Sequence, residues 1–155
     1  MKKLVLSLAL VLAGSFAIGQ ELTKEQIKEF TLRTTNANHS GLILVLFDVT
    51  RVYILDAIAS YDEEDLETYL KYIRMAKKSH NELMSCINPK DDLGKKVLQV
   101  FRLIYGKLVM SEVKRKPDDL DRCLVMLDNL KVGFEKLHSI DTEGPVMKNA
   151  HQVYA

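Results

Sequence analysis

The residues whose types could do chemistry are few: four histidines, two cysteines, and a handful of carboxylates set among apolar neighbours. Imidazoles and thiolates bind transition metals when several converge from different elements. His39, His80 and His138 are the candidate metal ligands, with Cys86, Asp91 and Asp92 close to them in the expected fold. Glu135-Lys136-Leu137-His138 has the Glu-x-x-His spacing that places both side chains on one helix face, as di-iron bundles require. Such a centre needs a second copy, and only one is present. Covalent haem needs Cys-x-x-Cys-His, which is absent; a haem held by a histidine and one of Met75, Met84, Met110 or Met126 is the remaining haem arrangement. Methionine at helical spacing is more often packing. Asp56 shares a face with Val45, Val49 and Val52, so its carboxylate is either costly to bury or reaches water near a helix end. No Gly-rich phosphate loop, Gly-x-Ser-x-Gly elbow or His-Glu-x-x-His motif occurs.

What positions these groups is a series of helical patterns. Thr23-Lys24-Glu25-Gln26 is a capping box that starts the structured region. The stretch Asn36 to Gly41 is rich in poor helix formers and predicts a break. Leu42 to Ala59 is apolar on most sides, the pattern of a buried helix, although Leu42 to Phe47 alone fits a buried strand as well. Asp62 is placed to cap the next helix, whose apolar face follows Leu66, Leu70, Ile73, Leu83 and Ile87 before Asn88-Pro89. Asp91 or Asp92 caps a third, carrying Leu93, Val97, Phe101, Ile104, Leu108 and Val113 up to Pro117. Asp118 or Asp119 caps a fourth, with Leu120, Leu124, Leu127, Leu130, Phe134 and Leu137, ending near Gly144-Pro145. Short connections force neighbours antiparallel. The expected fold is therefore all-α, an up-down four-helix bundle over residues 20–143 with an N-terminal helical extension and a tail at 144–155.

Heights along that bundle follow from about 1.5 Å of rise per residue. Measured from the turn near Tyr61, His39, His80 and His138 fall at roughly 33, 28 and 30 Å, so they share one level. Cys86 and Cys123 fall at opposite ends, roughly 25 Å or more apart, where a disulfide cannot form. Lys71, Arg74, Lys77 and Lys78 make a basic strip that reads as a solvated face supported by acidic neighbours, with acidic lipid or a partner as the functional alternative.

The first residues read as a secretory signal at 1–19. Lys2 and Lys3 precede the apolar stretch Leu4 to Ala13, and Ala17-Ile18-Gly19 offers small residues for cleavage, with a second site after Ala17. Leu12-Ala13-Gly14-Ser15 has Ser where a lipidated Cys would stand. The 155 residues, 47% hydrophobic and 28% charged, suit one globular domain. Removing Lys2 and Lys3 leaves 20 basic against 21 acidic residues, about −1, which disfavours nucleic acid as a partner. No later run is long enough to span a membrane.

The function these patterns favour is an exported, periplasmic or extracellular, non-enzymatic binding protein whose partner is a protein or a cell-envelope component. The alternative is a small transition-metal- or haem-binding bundle using His39, His80 and His138. No nucleophile and base pair points to an enzyme. Oligomeric state leaves no mark in the sequence.

Overall fold

The computed structural model describes residues 23–141 and Gly144, so the expected leader, and the tail apart from Gly144, lie outside the described residues. Five α-helices and no strand are found among them: α1 (Lys24–Asn36), α2 (His39–Asp62), α3 (Leu66–Ser85), α4 (Asp92–Lys114) and α5 (Leu120–Ser139).

Each helix boundary has a local cause. The capping box forms as expected, with the Gln26 amide donating to Thr23 Oγ1 at 3.1 Å and the Thr23 amide to Gln26 Oε1 at 2.9 Å. At the other end of α1, the side chains of Thr34, Thr35 and Asn36 donate back to carbonyls four residues earlier. The expected break shrinks to Ala37 and Asn38, and Asn38 caps α2 by accepting from the Gly41 amide at 2.9 Å. Asp62 does not cap α3. It ends α2, Glu64 turns the chain through a left-handed conformation at φ 62°, and Asp65 accepts from the Thr68 amide instead. Asp91 caps α4 through the Gly94 amide at 3.1 Å. Gly94 is required there, because any side chain would strike the Asn88 carbonyl. Arg115, left-handed at φ 55°, closes α4 ahead of Pro117, and α5 stops at Ser139 rather than near Gly144.

α2 packs against α1, α3 and α5; α3 also packs against α4, and α4 against α5. This placement decides the Leu42 to Phe47 run. Leu42, Ile43, Val45, Leu46 and Phe47 are buried in a helix covered on several sides, so a continuous apolar stretch is needed. Phe47, Phe101 and Phe134 form the aromatic centre, with centroids 5.3 to 6.5 Å apart. Polar ties join the helices. Asp48 of α2 receives Arg33 of α1 at 2.8 Å and Lys131 of α5 at 2.6 Å, and Tyr69 of α3 donates to the Ser111 carbonyl of α4 at 2.9 Å. Lys107 of α4 pairs with Asp119 at 3.3 Å, which leaves the start of α5 without a side-chain cap bond. Among the described residues no helix is long and apolar enough to cross a membrane.

Candidate partner-binding groove

The histidines do not converge. His80 is fully buried, and its Nε2 donates to the Phe101 carbonyl at 2.8 Å while the ring stands edge-on to Phe101. Burial, only partly offset by that hydrogen bond, lowers its pKa to about 4, so the ring is neutral at ordinary pH. His138 bonds to Ser40 instead, its Nδ1 2.6 Å from the hydroxyl. His39 opens α2 with its Nδ1 buried and unbonded. Among the described residues no three His, Cys, Asp or Glu side chains gather in a way that could hold a metal ion. Equal height along a bundle is not enough, because each ring's direction is set by its own helix face. Asp91 is used as a cap, Asp92 pairs with Lys95, and Glu135 pairs with Lys131 at 3.5 Å.

The remaining candidates have structural roles. Cys86 and Cys123 are free thiols, pushed up to about 12 and about 11 chiefly by burial, so neither is a ready nucleophile. Asp56 is half-buried and raised to about 6 by desolvation. The basic strip is not simply solvated: Arg74 and Lys77 both bind Glu112 of α4, tying α3 to α4.

A different feature stands open. Between the α3–α4 turn, the first turns of α4 and the second half of α5 lies a groove of about 520 Å³, far more apolar than polar. Ile87 and Val97 line it, and its floor is Phe134, backed by the aromatic centre. Its lips are Leu93 and Leu137, 61% and 49% exposed. Gly133 borders it, and a Cβ there would meet nothing within 4 Å, so the position has room for a side chain. Asn88, Asp91 and Asn129 supply polar groups. An apolar trough with a polar edge suits the apolar stripe of a helix or an extended apolar segment. Periodicity had assigned Leu93 and Leu137 to the core. Both continue the apolar stripes of their helices, so spacing alone could not separate a core face from a binding face. A smaller hollow of about 290 Å³ lies at the α1–α2 break, beside Arg33, Asn38 and His138.

A family model described as Flagellar protein FliS matches residues 24–141, the stretch that holds all five helices. The chain belongs to the FliS family. No curated protein and no solved structure matches it. FliS membership agrees with the all-helical structure and with non-enzymatic binding of a protein partner. It overturns the expected export to the periplasm or cell exterior, because FliS proteins are cytoplasmic flagellar export chaperones. The physical reason for the error is plain: two lysines followed by an apolar run record hydropathy alone, and hydropathy does not say which compartment a segment ends in.

Proposed function

We propose that this chain is a flagellar chaperone that binds an apolar, helix-forming segment of a flagellar protein in the groove between α4 and α5. The observation that carries the reading is the groove itself, apolar, lipped by exposed leucines, and present in a chain of the FliS family. Family members bind flagellar proteins, and an export chaperone must cover apolar surface that would otherwise aggregate before assembly.

The helix contacts support an antiparallel up-down four-helix bundle of α2 to α5, closed by α2 against α5, with α1 laid on α2. In that arrangement the groove needs no rearrangement to accept a client. Fully burying a large apolar side chain contributes about 1.5–3 kcal/mol, so a few anchors on Phe134, Leu93 and Leu137 offset ordering costs and leave a releasable complex. Residues 20–143 serve as the binding unit.

Purification from its native cell tests this. Tagged wild-type protein should bring down a flagellar protein, and Gly133→Arg, which fills the groove at a position with room for a side chain, should lose it while keeping its helical content. Retention of the same flagellar protein by Gly133→Arg would place the client elsewhere.

A further inference from the structure

The outward back of α4 serves neither the bundle nor the groove. Leu103, Gly106, Met110 and Val113 recur at alternating spacings of three and four, so they form one stripe on the helix. Leu103, Met110 and Val113 are exposed large hydrophobics, the last at 70%. The side that faces the interior carries Phe101, Ile104 and Leu108 instead.

Gly106 is the unexplained residue. Glycine inside a helix costs about 0.5–1 kcal/mol relative to alanine. No contact among the described residues requires it, because a Cβ there would meet nothing within 4 Å. Its missing side chain leaves bare backbone between Leu103 and Met110 on the exposed stripe.

The charges left without an ion pair along the flanks are basic. Lys96, Arg102 and Lys114 are exposed along this back, and none forms an ion pair among the described residues. Of the carboxylates of α4, Asp92 is neutralised at the first turn by Lys95 of the same helix, 3.2 Å away, and Glu112 turns to Arg74 and Lys77 of α3.

We propose that the back of α4 is a second docking surface, for an amphipathic helix of a partner protein with acidic flanks that seats one apolar side chain on the bare backbone at Gly106. Charge complementarity selects that occupant. A second copy docking through the same face would set Lys96, Arg102 and Lys114 against their own kind. Three separated apolar side chains bury little area in a bilayer, so lipid binding would rest on the basic flanks alone. The apolar stripe from Leu103 to Val113 lies apart from the groove, whose α4 lining, Leu93, Gly94 and Val97, belongs to the first turns of the helix.

The test uses three probes on the full chain: a synthetic helical peptide with Leu at the a and d positions and Glu at e and g, its twin with Lys in place of Glu, and vesicles of mixed phosphatidylcholine and phosphatidylserine. The Glu peptide should bind wild type and weaken with added salt. Gly106→Gln, which covers that backbone with a better helix former, should weaken it about tenfold or more, as should Lys96→Glu with Arg102→Glu, which alters no packing. Gly133→Arg should leave it unchanged. Equal binding of the Lys twin, binding to vesicles alone, or loss with Gly133→Arg but not Gly106→Gln would each overturn the proposal. The groove assignment stands or falls separately, on capture of a flagellar protein.

Discussion

Nδ1 of His138 lies 2.6 Å from Ser40 Oγ, and that hydroxyl donates to Asp141 Oδ2 at 2.5 Å. A hydroxyl has one proton to donate; with it directed at the Asp141 carboxylate, the Ser40 oxygen is free to accept from His138 Nδ1–H. The Asn38 Oδ1 atom, at 3.1 Å, is the more distant competitor. The chain of bonds fastens the end of α5 to the first turn of α2. Ser40→Ala should lower stability by about 1 kcal/mol in chemical denaturation. It should also speed amide exchange at Gly41, next to the released turn.

His80 makes the fold sensitive to acid. Its folded pKa of about 4 is below the ordinary 6.5, so the native state binds fewer protons than the unfolded chain between those values. The stability it contributes is complete above about pH 6.5 and is lost as pH falls towards 4. A shift of this size corresponds to roughly 3 kcal/mol across that interval. Denaturation midpoints measured from pH 7 down to 4.5 should fall in wild type and fall less in His80→Leu.

Asp56 has the opposite sign. Burial raises its pKa from 3.8 to about 6, so the native state holds the proton more tightly than the unfolded chain. Its contribution is greatest below about pH 3.8 and is lost as pH rises through 6. Asp56→Asn should therefore gain stability relative to wild type at pH 8 and lose that advantage near pH 4, read from paired denaturation curves.

Core and groove are separable by mutation even though both are apolar. Phe47, fully buried between Phe101 and Phe134, should cost about 3–5 kcal/mol when replaced by alanine. Leu93→Ser, on the exposed lip, should change stability by less than about 0.5 kcal/mol and yet weaken client binding. Thermal melts paired with a binding titration distinguish the two.

Much of this architecture is legible in the residues. Thr23 and Gln26 announce a helix start because the capping box is local chemistry; Asp91 and Asp92 are equally legible as caps, and the fold uses Asp91. Asp62 misleads because the left-handed turn at Glu64 shifts the cap to Asp65, and nothing in the side chain of Glu64 advertises that conformation. Leu42 to Phe47 is ambiguous by itself; its helix is decided by the neighbours that cover it. The histidines show the limit of height estimates, since His80 is turned to the Phe101 carbonyl and His138 to Ser40. The groove is not legible in periodicity: Leu93 and Leu137 continue the core stripes of their helices, and only their exposure in the folded chain shows that they face outward.

The most direct measurement places a photo-cross-linking residue at Leu93 on the groove lip, and at the exposed Lys78 of α3 as a control, in the native cell. A flagellar protein joined covalently through position 93, absent from position 78 and abolished by adding Gly133→Arg, is the result expected. Equal yields at both positions, or capture at 93 that survives Gly133→Arg, would contradict the groove as the client site.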